Sequence, residues 1–242
     1  MNAFRSALLC TSLIAMAACA GPSDSPFDAQ GRYLTDLADP GKLVATDLAF
    51  ARAAQEEGQW TAYRRYAADE AVMFVPEAVN ARDWLAQQQD PAQPLRWQPH
   101  QVWSSCDGTL AVTRGAWQIG QSRNGQYLTV WRRQESGEYR WVQTQADTTD
   151  EPLVAPDMVE TEVAYCTTGD EDTPLVTQAV NASTQDPRMK GPGQFYDNSS
   201  RDNSLFLNMF AEQNMARHWA LYIARDGQLE EVLRGDLPAP TP

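Results

Sequence analysis

Hydrophobic positions along the chain change their period near residue 96, and the change divides the first half into helices and strands. Leu43, Asp47, Phe50, Ala51 and Ala54 recur at three and four residues, the spacing of one helix face, and Gly58 stands where such a helix should stop. Residues 60–68 predict a second helix with Tyr63 and Tyr66 on one side. The run Ala71-Val72-Met73-Phe74-Val75 reads as a buried strand ended by Pro76. Residues 82–88 predict a short third helix with Trp84 and Leu85 inward, closed by Asp90-Pro91. The period then becomes two. Strands are predicted at 97–106, 109–119, 126–135 and 138–147, joined at Asp107-Gly108, Asn124-Gly125 and Ser136-Gly137, where each glycine can take positive φ. Three tight turns in succession imply an antiparallel meander. Helices followed by a meander give an α+β fold, the helices packed on one face of a curved antiparallel sheet.

Beyond residue 150 the pattern stays strand-like but less regular. Residues 158–166 alternate through Val159, Thr161, Val163 and Tyr165, and 205–210 form a short apolar run. Arg225-Asp226-Gly227-Gln228 marks a two-residue hairpin between strands at 219–224 and 229–233. Residues 181–204 are polar and Gly/Pro-rich and read as a long loop. The expected organisation is a signal peptide at 1–18, a Pro/Gly/Ser/Asp-rich tether at 19–40, a folded domain at 41–150 and a β-rich C-terminal appendage at 151–242.

The N-terminal segment gives an address. Arg5 precedes an apolar run over residues 7–18 that ends in small residues before Cys19, the layout of a bacterial export signal. Small residues directly before a cysteine resemble a lipoprotein processing site, at which the Cys19 thiol takes a diacylglycerol. Ala18-Cys19-Ala20 also fits ordinary signal peptidase, which would release a soluble protein, and an uncleaved anchor is a third reading. With Ala20 and not aspartate after the cysteine, lipidation implies a periplasmic protein held at the outer membrane.

Charge narrows the partners. The chain carries 19 Lys and Arg against 32 Asp and Glu, a net −13 that becomes −14 once Arg5 leaves with the signal. Such a chain is a poor match for phosphate backbones, so nucleic acid is excluded as a partner. Cys106 and Cys166 form a disulfide candidate in an oxidising compartment, or else two separately buried thiols. His100 and His218 lie far apart without Cys/His ligand spacing, and the acidic run at 169–172 lacks calcium-loop grammar. Neither a metal nor a cofactor is expected.

The segment from Asp47 to Ala54, then Gly58, then Tyr63-Arg64-Arg65-Tyr66 through Phe74-Val75-Pro76 resembles the opening of a nuclear transport factor 2-like fold. It is nearest the branch called domain of unknown function 4440, beside the polyketide-cyclase-like proteins. Residues 125–134 and 137–142 resemble that family's final hairpin. The resemblance implies a cone-shaped domain with an internal pocket, and a homodimer formed through the sheet face. Its members include isomerases, dehydratases, cyclases and non-catalytic binding modules, so fold and function are implied unequally.

Trp103, Trp117, Trp131 and Trp141 fall one on each predicted meander strand. Tyr127 and Thr129 share the face of Trp131, and Tyr139, Gln143 and Gln145 that of Trp141. With Tyr63 these indoles and Tyr127 are the candidate ligand-binding wall; filling of the core is the alternative. No complete catalytic set is present, and Asp69, Tyr63 and His100 are the single residues on which acid–base chemistry would draw. The expected function is an exported cell-envelope lipoprotein that binds a small apolar or aromatic ligand, or a protein partner, without catalysis. The alternatives are an isomerase-, dehydratase- or cyclase-type enzyme with a pocket carboxylate such as Asp69, and a structural envelope component exposing an apolar patch around Trp219 and Tyr222.

Overall fold

Asp39 opens the first helix by accepting a hydrogen bond from the Lys42 amide at 3.0 Å, with proline in the first turn. This computed structural model describes residues 37–121, 123–166 and 174–240; the signal, most of the tether, Cys19 and the acidic run at 169–172 lie outside the described residues. Helix α1 (Pro40–Glu56) breaks at Gly58, whose φ of 113° suits glycine, and α2 (Gln59–Tyr66) follows at once. After β1 (Ala67–Phe74) and β2 (Ala78–Asn80) comes the short α3 (Ala81–Leu85). The meander is β3 (Arg96–Ser104), β4 (Leu110–Ile119), β5 (Arg123–Arg133) and β6 (Tyr139–Thr148), antiparallel throughout as predicted.

One predicted turn is displaced. Asn124-Gly125 lies inside β5, and the chain turns earlier, at Gly120 with φ 59°. Gly125 is required for space instead: a Cβ there would stand 1.8 Å from the Asp147 carbonyl and 2.6 Å from the Trp117 ring. The sheet is also mixed rather than wholly antiparallel. Its order is β2-β1-β6-β5-β4-β3-β7, with β1 parallel to β6 and β7 (Glu160–Val163) parallel to β3.

The C-terminal part builds a second sheet. Residues 181–204 are no single loop: they hold the end of α4 (Leu175–Gln185), a 3-10 turn (Pro187–Met189), β8 (Gly193–Phe195) and β9 (Asn198–Ser199). Strands β10 (Leu205–Glu212), β11 (Arg217–Arg225) and β12 (Gln228–Leu237) complete it, in the order β12-β11-β10-β8, with β9 also on β10. Asp226 and Gly227 both take positive φ (49° and 82°), the two-residue hairpin their types predict.

The first sheet is buried on both faces. On one side α1, α2 and α3 pack Leu43, Phe50, Ala54 and Leu85 onto Trp131 and Trp141. On the other, Val112, Leu128 and Val130 meet Leu207, Met209 and Leu221 of the second sheet. Helix α4 covers that sheet's far side through Leu175 and Ala179 against Phe206 and Tyr222. The layers therefore run helices, sheet, sheet, helix. Trp219 and Tyr222 are both buried, so the exposed patch that would mark a structural component is not there. A disulfide joins Cys106, just after β3, to Cys166, just after β7.

Candidate functional site

Alternation along the meander puts Trp131 and Trp141 opposite one another on the helix side, where neither is exposed. Trp131 Nε1 donates to Thr113 Oγ1 at 3.0 Å and Trp141 Nε1 to the Tyr63 carbonyl at 3.2 Å. Phe50 lies edge-on to Tyr63 and to Trp97, with centroid distances of 4.8 and 4.7 Å. These rings pack into one another between the helices and the first sheet. Trp131 and Trp141 are thus fully buried, and Tyr63 is partly buried against them.

Two bulges reassign side chains that strict alternation had placed together. In β3 the register slips at His100, between Pro99 and Gln101, so Val102 faces the helices with Trp97 while Trp103 turns into the core between the sheets. Trp103 therefore leaves the predicted wall. In β6 the register slips beside Val142, and Gln143 crosses to the second sheet, where its Oε1 accepts from Asn198 Nδ2 at 2.7 Å. Gln145 crosses with it, beside Trp219.

The helix side holds a carboxylate. Asp47, buried on α1, accepts from Trp97 Nε1 and from the Tyr127 hydroxyl, both at 2.9 Å. Burial pushes its pKa up, and hydrogen bonds from Trp97, Thr113 and Tyr127 pull part of the way back. Burial and then the Asp47 charge push the Tyr63 hydroxyl up, and the same causes raise Tyr127. Sequence reading left Asp47 and Trp97 off the candidate list. The signal was present: Asp47 occupies a core position in the apolar period of α1, where an acid needs buried partners.

At the end of the meander a cleft of about 320 Å³ opens, lined by Trp97, His100, Trp117 and Asn124 with Pro152 and Leu153 opposite. Trp97 and Trp117 are cross-strand partners. The Trp117 ring is pinned, its Nε1 shared between the Gln126 and Asp147 carbonyls at 3.1 Å each. His100 is 7% exposed and its Nε2 has no partner. Burial and then the Arg114 charge push its pKa down, so the imidazole is neutral at physiological pH. Its unpartnered nitrogen, able to donate or accept, is buried in the cleft's lining beside the Trp97–Trp117 pair.

The acid–base candidates do not meet. Asp69 is exposed and ion-paired with Arg82, Tyr63 is in the aromatic interior, and His100 is at the cleft. His218 is held on the second sheet between Asp236 and Glu212.

No protein-family model and no curated protein matches the chain. Among solved structures, the chain is similar to a candidate ketosteroid isomerase from Parabacteroides distasonis (TM-score 0.38, 13% identity, 48% of this chain and 96% of that one). It is similar also to a candidate aromatic ring hydroxylase from Novosphingobium aromaticivorans (TM-score 0.34, 15% identity, 50% and 94%). A third is a conserved protein from Planctomyces limnophilus (TM-score 0.35, 15% identity, 46% and 98%). Likeness at this level says nothing of what this chain binds or does.

Proposed function

We propose that this chain is an exported cell-envelope lipoprotein that binds a small aromatic or apolar molecule in the Trp97–Trp117 cleft without transforming it. One observation carries the binding reading: a cleft walled by the cross-strand pair Trp97 and Trp117 with His100 in its lining. The walls favour a ring, and the imidazole favours a ligand with a single polar group. A cleft of about 320 Å³ is at the small end of the range for ligand sites. Asp69, the carboxylate named for the enzymatic alternative, is exposed and ion-paired with Arg82, outside this cleft. Export and lipidation at Cys19 are supported by the sequence of the first 19 residues alone.

Native mass spectrometry of the full chain purified from its host's envelope tests the binding. A reproducible small-molecule adduct that Trp117→Ala abolishes is the expected result. Bare protein throughout, or an adduct indifferent to that substitution, would overturn the assignment. For the address, Cys19→Ser should move the protein from the membrane to the soluble fraction, and unchanged partitioning would refute lipidation.

A further inference from the structure

A second cleft, of about 350 Å³, lies where the end of β1 and the start of β2 meet β8 and the β10–β11 turn. Arg217, the first residue of β11, forms part of its wall and is 4% exposed. Its Nη1 donates to the Pro76 carbonyl at 2.8 Å, and its guanidinium carbon sits 5.1 Å from the Phe74 ring centre. A guanidinium has five N–H donors. The Pro76 bond uses one, while Nε is buried without a partner. No described carboxylate pairs with Arg217; the Asp147 charge acts on it only at longer range. A buried cation with donors to spare is costly unless an acceptor meets them. Beside it Phe74 and Tyr196 stand edge to face, centroids 5.2 Å apart, as an aromatic wall.

We infer that this cleft binds a small aromatic carboxylate, its carboxylate seated on Arg217 and its ring against Phe74 and Tyr196. The charges lining the cleft favour a monoanion over a dianion. Glu77 and Glu212 also line the cleft, and Glu212 is already engaged by His218 and Asn214. The two carboxylates already outnumber the single guanidinium, so a monoanion in direct contact with Arg217 meets less repulsion than a phosphate dianion would. A planar carboxylate also suits the guanidinium, whose donors stand in a fixed fork.

Isothermal titration of the full chain with 3-phenylpropanoate, its neutral amide and phenyl phosphate tests the inference. The carboxylate should bind saturably and about tenfold more tightly than the amide, the value of a charge-assisted hydrogen bond. Arg217→Gln should abolish that preference, and Trp117→Ala, at the other cleft, should leave it intact. Glu77→Gln, which removes a like charge from an exposed position, should tighten carboxylate binding about threefold. Equal affinity for carboxylate and amide, no saturable binding, tighter binding of phenyl phosphate, or loss of the preference in Trp117→Ala would each overturn it. Should Arg217→Gln lose its near-ultraviolet circular dichroism, Glu77→Gln decides: unchanged or weakened affinity would count against the site.

Discussion

Replacing Asp47 by Asn and by Leu separates the charge of the buried acid from its hydrogen bonds. Trp97 Nε1 is a donor only, so an amide oxygen must face it; the Tyr127 hydroxyl can turn and accept from the amide nitrogen. Asp47→Asn therefore keeps both contacts and removes the ionisation. Asp47→Leu removes both acceptors. The buried Tyr127 hydroxyl then costs about 1–3 kcal/mol and the half-buried Trp97 about 1 more, or roughly 2–4 in total. For a chain of this size that lowers the Tm by roughly 5–15 °C. The pH dependence follows from the raised carboxyl. Between the ordinary carboxylate range and its own pKa, the folded state binds more protons than the unfolded state, so stability falls as pH rises through that window. Urea unfolding followed by tryptophan fluorescence from about pH 4 to 8 measures this. The stability of Asp47→Asn relative to wild type should grow with pH. Parallel curves for the two proteins, or a Leu variant as stable as the Asn variant, would refute the reasoning.

Opening the Cys106–Cys166 disulfide, which spans a sequence separation of 60, should cost about 4 kcal/mol in the chain-entropy view, seen as a lower urea midpoint in reductant. An unchanged midpoint would mean the core alone holds the two segments. His218 is raised because hydrogen bonds to Asp236 and Glu212 outweigh the opposing effect of burial. Its contribution is full below the ordinary histidine pKa and fades as pH rises through the raised value, so His218→Gln should be more damaging near pH 5.5 than near pH 9. Equal losses in thermal melts at both would contradict this. Gly125→Ala forces a Cβ against the Asp147 carbonyl and the Trp117 ring, and should cost about 1–3 kcal/mol and shift the Trp117 emission. Wild-type emission and stability would show that the strand yields easily there.

Much of the fold was legible because local chemistry and global packing agree. The apolar period of α1, the stop at Gly58 and the hairpin at Asp226-Gly227 each follow from residue types a few positions apart. What escaped depends on distant partners. The bulges at His100 and Val142 leave no mark in composition, yet they decide that Trp103 and Gln143 face the second sheet. Asn124-Gly125 has turn chemistry, but the Trp117 ring claims the space, and that is visible only once β4 and β5 are paired. The parallel docking of β7 on β3 joins residues nearly sixty apart, beyond the reach of any periodicity. Helix α4 carries two apolar pairs one turn apart, Leu175 with Ala179 and Val176 with Val180, and only the second sheet decides that the first pair is the buried one. Phe50 and Tyr63 arrive from the helices to meet Trp131 and Trp141, contacts that no strand periodicity reveals.

The burial of the first sheet's outer face by β10 and β11 has a consequence in mass action. A sheet that meets a second subunit through this face loses its cover on dilution, and its stability then depends on protomer concentration. Here Leu207, Met209 and Leu221 belong to the same chain, so the cover is present at an effective concentration set by the linking segment. The residues that a dimer of such sheets would share are already spent within one molecule. The stability this cover contributes therefore does not depend on protomer concentration.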